Sequence, residues 1–463
     1  MTNLRAVRSL VVLAAASLAS LACLLSLPAR ADDAHYQNFL VGERAAGMGG
    51  AFTAIANDPS GTYYNPAGLV DIKSGLLSAE LNFYSFQQQS LTNALHVTGG
   101  NLLDQFKDSV SAAVDQLNVV PGSAGEAHGM GPKDAQGHYH HAWALSVLVP
   151  DQTSGSSINE VIDNSGTLTS LAQTTLDLTV LAGLGYAYRY DDRWSFGISG
   201  NALYRQVTRN SRSIAAAGYG SSGPSTTYSE DDITLKLSVL GLYLQGGVLY
   251  RVNPKLRVGL TIATPSLTVF SSATSDEVVT GAGGTSNGLT EIYQPNLTGD
   301  SRWPVHGRLG VAYEIMRDLT LAADFSLWGI VHYGLVNGAS ANQRLPNFVN
   351  DITREVTFNV DLGAQYDLFH KYPLRAGFFT NLSSAPKIDS GAEPQVEDVN
   401  LYGATAGFTL PGEHTETTFG LTVSFGNGQA KTPTTQVNQA LAYGAGPSSQ
   451  LFLNLYVGGS YRF

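Results

Sequence analysis

A cluster of histidines is the first feature of the sequence that could carry chemistry. The candidate ligands lie close together in one stretch, namely His128, His138, His140, His141 and Asp134. Imidazole groups at such spacing suit zinc, copper or nickel. The simpler interpretation is a solvated polar loop that contains several histidines. We therefore predict neither a bound metal nor any other cofactor.

A second stretch formally matches a catalytic motif. Residues 284–288 read Gly-Thr-Ser-Asn-Gly, the Gly-x-Ser-x-Gly pattern of serine hydrolases. That motif needs a buried strand before its serine and a helix after it. Here it lies in sequence rich in Gly, Ser and Thr, so chance explains the match better. We predict no catalytic residues, and we do not expect an enzyme.

Charged residues that interrupt stretches of small and apolar residues form a third group. They could line a path for a solute, or they could pair with one another and hold a folded segment in place, which is the simpler role. They are Asp177, Arg189, Arg193, Arg205, Arg257, Arg308, Asp324 and Asp361. Which role applies depends on the elements that carry them.

The N-terminus has the features of an export signal. Arg5 and Arg8 precede an apolar run over residues 10–25, and Ala29-Arg30-Ala31 places small residues at the −3 and −1 positions of a signal-peptidase site. We predict a signal peptide at residues 1–31, with a membrane anchor or lipidation at Cys23 as alternatives. Cys23 is the sole cysteine of the sequence, so cleavage after Ala31 would leave a chain without disulfides.

Composition excludes some partners and favours a membrane barrel. The formal net charge of −11 includes three arginines of the leader, so the mature chain carries about −14 and is a poor match for nucleic acid. Only 14% of residues are charged, and 50 Gly and 22 Tyr are unusual for a soluble enzyme. No segment after the leader is long and apolar enough for a membrane helix. A closed barrel is the other structure that satisfies its backbone groups within lipid.

Alternating residues support the barrel. In residues 175–190, apolar side chains occupy the even positions from Leu176 to Tyr190, and small or polar ones such as Asp177 occupy most odd positions. Residues 193–207 and 356–368 repeat this pattern. Alternation over about ten residues is typical of strands with one face in lipid and one in a wet lumen. Charges in mid-strand favour a lumen over the packed core of a soluble sandwich.

A weak repeat and the spacing of connections give the orientation. A Gly-x-x-Tyr pattern precedes short connections at residues 185–188, 247–250, 310–313 and 363–366. These tyrosines are predicted to lie at one membrane interface. Long connections alternate with the short ones; we expect them at residues 151–173, 208–232, 266–302, 331–353, 382–400 and 427–448. Short periplasmic turns and long external loops are typical of outer-membrane barrels.

The strand count leaves one gap. Thirteen strands are recognisable between residue 76 and the C-terminus, and barrels of this kind have even numbers. We predict about fourteen, with the missing strand between residues 88 and 140. Part of this gap, residues 102–117, has helical spacing and could be a short helix packed on the barrel, or an apolar surface for ligand or lipid. The last strand ends in Tyr461 and Phe463, which resembles the signal read by barrel-assembly machinery.

Residues 32–74 do not have the pattern of a barrel strand. They are rich in small residues and contain tight-turn signals at Pro59-Ser60-Gly61 and Asn65-Pro66. We predict a hatch, or plug, folded in the lumen of a barrel formed by residues 75–463. Candidate residues for gating a ligand are Met48, Asn65, Pro66 and Ala67. Residues 65–67 could instead only form a turn that seats the plug.

Several segments resemble the FadL/TodX family of outer-membrane transporters for hydrophobic compounds. Residues 42–69, with Asn65-Pro66-Ala67, are similar to the hatch of that family. Residues 249–260, residues 309–313 with 325–328, and residues 362–366 with 374–378 resemble its hairpins. The resemblance implies an all-β, fourteen-stranded transmembrane barrel closed by a hatch. It also implies a monomer that captures ligand outside and releases it sideways through its wall.

The function predicted from the sequence is passive uptake of hydrophobic small molecules, such as long-chain fatty acids or aromatic hydrocarbons, across the cell outer membrane. The expected partners are that ligand, outer-membrane lipid and, during biogenesis, the barrel-assembly machinery, with no nucleic acid. A non-transport barrel acting as a scaffold or as a partner in secretion is the alternative. An outer-membrane hydrolase is a more distant one.

Overall fold

Antiparallel strands form a closed barrel in the computed structural model. The structure describes residues 34–98, 109–134, 137–162, 168–217, 227–282, 288–338, 349–389, 395–436 and 442–463. Strand β19 pairs with β1 and closes the barrel, with Leu76 opposite Arg462. The strand segments are β1 Leu76–Thr98, β2 Ser109–Lys133, β3 Tyr139–Ile162, β4 Leu168–Arg189, β5 Trp194–Ala217, β6 Thr227–Asn253, β7 Leu256–Ala263, β8 Leu267–Ala282, β9 Gly288–Gly299, β10 His306–Met316, β11 Leu319–Trp328, β12 Val331–Gly334, β13 Val336–Asn337, β14 Asp351–Arg354, β15 Thr357–Leu368, β16 Tyr372–Asn381, β17 Asp398–Pro411, β18 Thr415–Gln436 and β19 Ala442–Arg462.

These segments make fourteen barrel strands, which confirms the predicted number. β7 and β8 pair with successive halves of β6 and so form one interrupted strand. β9 and β10 form the next, because they pair with β8 and β7 respectively. The short segments β12 to β14 continue β11 and β15 beyond their mutual pairing.

Exposure alternates along the strands as the sequence predicts. On β4, Asp177 is buried, whereas the large apolar side chains of Leu184 and Tyr186 are exposed on the other face. An outward apolar belt of this kind suits contact with lipid. Exposed aromatics, including Tyr188, Trp194 and Tyr313, gather near the short turns, as at a membrane interface. Of the helices in the described residues, none has both the length and the apolar character needed to span a bilayer.

Several predicted connections are strands instead. Residues predicted as the loops 151–173 and 208–232 largely continue β3 to β6, with Leu168 opposite Ala216 on β5. Residues 266–302 contain β8 and β9, and residues 427–448 extend β18 and β19. Beyond the bilayer the outward face meets water, so polar residues are tolerated there and the apolar alternation fades while backbone pairing continues. The apolar alternation in the sequence therefore marks only part of each of these strands, and the paired strands extend beyond it.

The missing strand is β2, which lies in the predicted gap. Residues 109–117 pair with β1, with Leu117 opposite Phe86, so the helical prediction for this part is wrong. Ladder hydrogen bonds to a neighbouring strand outweigh the weak helical spacing of a few apolar residues. Residues 102–108 of the predicted helix lie outside the described residues, as does the predicted signal peptide.

The wall is interrupted between β2 and β3. Their pairing runs from Lys133 opposite Tyr139 up to Ser123 opposite Leu148 and ends there. Beyond this point, among the residues that the structure describes, β2 pairs with β1 and β3 pairs with β4, but β2 and β3 do not pair with each other. Pro121 and Pro150 flank the break, and a proline has no N–H to donate to a ladder. We call this interruption the wall break.

The N-terminal segment, residues 34–75, lies inside the barrel. It contains helix α1 (Glu43–Gly47), helix α2 (Gly61–Tyr64) and a 3₁₀ helix (Pro66–Asp71). Nearly all its side chains from residue 41 to 70 are buried. α1 contacts β16 to β19, whereas α2 and the 3₁₀ helix contact β3 to β6, so strands on opposite sides enclose the segment.

Candidate functional site

Inward-facing glycines form the seats on which the N-terminal segment rests. A Cβ at Gly377 would lie 2.3 Å from the backbone nitrogen of Gly49, and one at Gly197 would lie 2.4 Å from the nitrogen of Ala67. Side chains at these positions would collide with the segment. Gly185, Gly247, Gly310 and Gly363, the glycines of the Gly-x-x-Tyr repeat, are seats too. The repeat therefore places glycine against the segment and tyrosine, three residues later, on the outer face.

Asn65 fixes the segment to the wall through its side-chain amide. Its Nδ2 donates to the carbonyls of Thr53, at 2.9 Å, and Val248, at 3.2 Å, and its Oδ1 accepts from the backbone N–H of Ala67 at 3.0 Å. Asn65 thereby caps the 3₁₀ helix that begins at Pro66. Met48, also fully buried, packs against the Gly363 seat. The structure thus places the four predicted gating residues at contacts between segment and wall.

Asp71 anchors the last turn of the segment near the short-turn end of the barrel. One of its oxygens lies 2.5 Å from a guanidinium nitrogen of both Arg189 and Arg251. Arg257 is 4.0 Å from the other oxygen and also pairs with Glu314 at 3.2 Å. Because Arg189 is 3% exposed, losing the Asp71 charge would leave a buried cation without its counter-charge.

Asp324 holds the middle of the segment from β11. One carboxylate oxygen accepts the backbone N–H groups of Phe52, at 2.9 Å, and Thr53, at 2.8 Å. Asp361, on β15, lies close to Gly50. Asp177 instead forms a bidentate pair with Arg205, at 2.5 and 2.9 Å, within the wall.

Arg193 does not belong to this set. It is exposed in the turn between β4 and β5, where its backbone N–H donates to Asp191 at 2.8 Å. Arg193 lies in the four-residue connection 190–193, outside both strands, so no strand directs its side chain inward and the prediction of Arg193 as a lumen charge is wrong. Arg189, Arg257 and the three aspartates do lie on the inner side of the barrel.

A buried carboxyl lies at the first helix of the segment. Glu43 is 6% exposed and packs on Gly458 of β19, where one of its oxygens has no hydrogen-bond partner among the described residues. Burial, reinforced by the Asp58 carboxylate, raises the pKa of Glu43 from 4.5 to about 7. We therefore expect the docking of α1 to weaken as the pH rises through neutrality.

An aromatic cluster fills the middle of the lumen. Trp328 stacks on Tyr36 of the segment, with ring centroids 4.1 Å apart, and on His306 at 4.0 Å. Trp303 meets both Tyr36 and Trp328 edge to face. Arg308, also buried, lies 4.2 Å above the Tyr63 ring. Aromatic faces with a few buried polar groups are typical of small-molecule sites.

A second apolar cluster lies nearer the end of the barrel opposite the short turns, which we call the long-loop end. Its centre is the first half of β6, where Ile233, Leu235, Leu237 and Val239 point inward and are at most 1% exposed. We call this group the outer apolar cluster; its other members are Ala34, Val207, Ala273, Leu297, Tyr333, Leu335, Val336, Ile352, Ala385 and Val396. Lumen positions that face water would favour polar side chains, so this face suits apolar contacts.

A third, smaller cluster lies at the wall break. Phe39 packs on Val149, with Leu178 and Val180 beside them. The backbone N–H groups of Asn38 and Phe39 both donate to the Pro150 carbonyl at 2.9 Å. Residues 34–39 thus pass through all three clusters, with Ala34 in the outer apolar cluster, Tyr36 in the aromatic cluster and Phe39 at the break.

Cavities differ between the short-turn end and the middle of the lumen. A polar cavity of about 350 Å³ opens beside α1, and Glu43, Asp58, Arg375 and Glu416 are among its lining residues. The cavity between Tyr36, Arg308, Trp328 and Asp361 is only about 30 Å³. With the N-terminal segment in place, this cavity beside the aromatic cluster is too small for a ligand.

The metal site considered as an alternative role for the histidines gains no support from the geometry. His128 stacks on Trp143, His138 pairs with Asp134, and His141 contacts the Tyr186 hydroxyl, so these histidines have separate partners. Across the described residues, no three His, Cys, Asp or Glu side chains are arranged to hold a metal ion. Residues 284–287 of the hydrolase-like motif lie outside the described residues.

Comparisons with known proteins show similarity in fold. The structure resembles a Pseudomonas aeruginosa FadL homologue (TM-score 0.59, 12% identity, 93% of this chain and 100% of that one). It resembles the Pseudomonas putida toluene transporter TodX (0.59, 12%, 92% and 99%) and the Ralstonia pickettii toluene transporter TbuX (0.55, 14%, 92% and 99%). No protein-family model and no curated protein sequence matches the chain. The resemblance to the FadL/TodX family predicted from sequence is confirmed in the fold.

Proposed function

We propose that the protein is an outer-membrane channel for passive uptake of hydrophobic small molecules. The observation that best supports this proposal is the succession of the outer apolar cluster, the aromatic cluster and the Phe39–Val149 contact at the wall break. These clusters follow one another from the long-loop end to an interruption in the wall. The solved channels of the same fold include toluene transporters, so a hydrophobic cargo suits the fold as well as the lining.

Exit in this proposal is sideways, through the wall break. A hydrophobic solute gains free energy by leaving water for the membrane core and gains none by entering the polar cavity at the short-turn end. The unpaired edges of β2 and β3 and the apolar side chains beside them support this route. The driving force is the concentration gradient alone.

The N-terminal segment acts as the hatch. Residues 42–72, with Met48 and Asn65–Ala67, rest on glycine seats and are its fixed part. Residues 34–41 have no helix or strand and occupy the three clusters, so they are the part that moves when ligand enters. Asp71 and Asp324, with their partners, retain the fixed part during this movement.

The cellular setting follows from the same features. The signal peptide at residues 1–31 directs export, the outward apolar belt lies in outer-membrane lipid, and the barrel is a monomer. Tyr461 and Phe463 lie exposed at the seam between β19 and β1, where barrel-assembly machinery can read them. The Phe463 N–H donates to the Gly75 carbonyl at 3.1 Å and ties the C-terminus to the end of the hatch.

One observation favours the alternative of a barrel that acts as a scaffold or secretion partner. The segment fills the middle of the lumen and leaves only about 30 Å³ beside Tyr36 and Arg308. A permanently seated segment would make a rigid, closed barrel whose external surface does the work. The two functions differ in whether any solute crosses.

Uptake by whole cells tests the proposal. Cells with and without the gene would be given a radiolabelled C18 fatty acid, toluene or a sugar of similar mass to toluene. We expect loss of the protein to slow entry of at least one hydrophobic compound and not of the sugar. Leu237→Lys, which puts a charge in the outer apolar cluster, should slow uptake, while Ser238→Lys on the outer face should not. Unchanged uptake of every hydrophobic compound would favour the scaffold.

A further inference from the structure

The polar cavity at the short-turn end lies between the N-terminal segment and the barrel wall. Its volume of about 350 Å³ falls within the range of small-molecule pockets. Glu43 and Arg44 line it from α1, and Arg375 lines it from β16. Leu76 and Leu148 add an apolar part to the lining. The proposed route of the hydrophobic cargo does not pass through this cavity.

Arg375 is a buried cation whose guanidinium has no carboxylate partner among the described residues. It is 5% exposed, and it donates through Nε to the Gln365 side-chain oxygen at 2.9 Å and through Nη1 to the Thr409 hydroxyl at 2.7 Å. Its remaining nitrogen, Nη2, is left for the cavity that Arg375 lines. Arg44 and Glu43 are the charges that act on it most, and neither forms an ion pair with it. A carboxylate is a strong and directional partner for a free guanidinium nitrogen.

Glu43 is the matching buried anion. It is 6% exposed and forms neither a hydrogen bond nor an ion pair with the described residues. One of its oxygens is sealed against Gly458, so the other oxygen is the one that can meet a ligand in the cavity. Arg375 is the cation that acts on Glu43 most strongly, yet no direct ion pair joins them. An ammonium group would supply the missing counter-charge.

Other charges of the lining have partners within the protein. Glu416 pairs with Arg462 at 2.8 Å, and Arg44 lies 3.9 Å from Asp58. Asp71 is held by its arginines at the end of the segment. Among the described residues, the uncompensated buried charges of the cavity are therefore one anion on α1 and one cation on β16.

We infer that this cavity binds a small zwitterion that carries an ammonium group and a carboxylate, such as an amino acid or a short peptide. The ammonium group pairs with Glu43, the carboxylate pairs with Arg375, and an apolar side chain contacts Leu76 and Leu148. Such an occupant joins α1 of the N-terminal segment to β16 of the wall. Its binding therefore stabilises the docking of α1. The inference is independent of the cargo that the barrel carries.

Binding of leucine and of two singly charged analogues tests the inference. Purified full-length barrels in a non-ionic detergent would be titrated by calorimetry at about pH 8, where Glu43 is largely charged because its pKa is about 7. Leucine carries both charges, leucinol lacks the carboxylate, and N-acetylleucine lacks the ammonium group. We expect leucine to bind at least about tenfold tighter than either analogue.

Two substitutions assign the contacts. Glu43→Gln should lower the affinity for leucine to that for N-acetylleucine, and Arg375→Gln should lower it to that for leucinol. Glu413→Gln and Arg317→Gln change exposed charges in the short turns, outside the lining of the cavity, and should leave leucine binding unchanged. Glu43→Gln preserves the shape of the side chain, so it tests the inference even if Arg375→Gln folds poorly.

Hydrogen–deuterium exchange gives a second readout, which reports on the docking of α1. Leucine at about ten times its Kd should slow exchange of residues 42–50 by about tenfold, since binding favours the docked state by the factor 1 + [L]/Kd. Leucinol and N-acetylleucine at the same concentration should slow this exchange less.

Three outcomes would overturn the inference. Equal affinities for leucine and its two analogues would show that the cavity does not recognise the two charges. Absence of leucine binding at millimolar concentration would leave a cavity that holds water only. Undiminished leucine binding in Glu43→Gln would place the ligand elsewhere. Uptake of hydrophobic compounds that persists alongside any of these would leave the proposed function intact, whereas leucine binding without uptake of any hydrophobic compound would contradict the proposed function alone.

Discussion

Adding one methyl group at a glycine seat should loosen the N-terminal segment without changing the barrel. Gly247 faces inward on β6, and a Cβ there would lie 2.2 Å from the Asn65 Oδ1 and 3.0 Å from the Pro66 Cδ. Gly246, its neighbour, faces outward and would have nothing within 4 Å of a Cβ. Gly247→Ala and Gly246→Ala are therefore matched substitutions on the two faces of one strand.

The magnitude follows from the contacts at Asn65. The added Cβ and the Asn65 Oδ1, at 2.2 Å, must move apart by about 1 Å to reach an ordinary contact distance, and overpacking of this kind costs about 1–3 kcal/mol. If Asn65 leaves its place, the hydrogen bonds to Thr53, Val248 and Ala67 are lost as well, at about 1 kcal/mol each. We expect Gly247→Ala to destabilise docking of the segment by at least about 1 kcal/mol, and Gly246→Ala to change it little.

Hydrogen–deuterium exchange of residues 50–71 measures this docking directly. In Gly247→Ala, exchange there should be faster by about fivefold or more, whereas exchange in the barrel strands stays at the wild-type rate. Heat-modifiable migration on gels would verify that both barrels are closed. Equal protection of residues 50–71 in the two variants would refute the view that inward glycines seat the segment.

Three further predictions concern the anchors of the segment. Asp71→Asn removes the counter-charge of Arg189 and Arg251 and should weaken docking by about 3–5 kcal/mol, seen as protease cleavage between residues 42 and 75; cleavage no faster than in the exposed-turn control Asp192→Asn would contradict this. Because folding raises the pKa of Glu43 to about 7, docking should be strongest below about pH 4.5 and weaken as pH rises through 7, by at most about 3 kcal/mol. Glu43→Gln should abolish that pH dependence in exchange of residues 42–50, and an unchanged profile would exclude Glu43 as its source. Deletion of Phe463 should lower the amount of assembled barrel in the outer membrane, measured by heat-modifiability, and normal assembly would count against the C-terminal signal.

The barrel could be predicted because contact with lipid favours apolar side chains on the outward face of each strand, independently of the other strands. Alternation along β4 and β15 needs no knowledge of distant contacts, and it disappears where the strands leave the bilayer, so the outer parts of β5 and β6 were predicted as loops. β2 could not be recognised from the sequence for a related reason. It carries Pro121 beside the wall break, and the outward face there has no regular apolar pattern.

The candidate site was only partly predictable. The position of Asn65-Pro66-Ala67 against the wall follows from tight turns and small residues, but its contacts lie on β5, β6 and β7, far away in sequence. Arg251, which shares Asp71 with Arg189, was missed, although its position on the inward face of β6 could have identified it. The role of Tyr36 had no signal, since stacking on Trp328 depends on the folded path of residues 34–41. Pro121 and Pro150 were the one available signal for the wall break.

Closing the wall break tests the central claim most directly. Gly122→Cys on β2 and Val149→Cys on β3 are the first positions past the last paired residues, and a short bifunctional thiol reagent would join them. Ala127→Cys with Ala144→Cys, paired opposite each other in the closed part, is the control crosslink. The sequence has no cysteine after Cys23 to interfere. We predict that crosslinking at the break stops uptake of the hydrophobic compound and that the control crosslink does not. Undiminished uptake with the break closed would contradict exit through the wall.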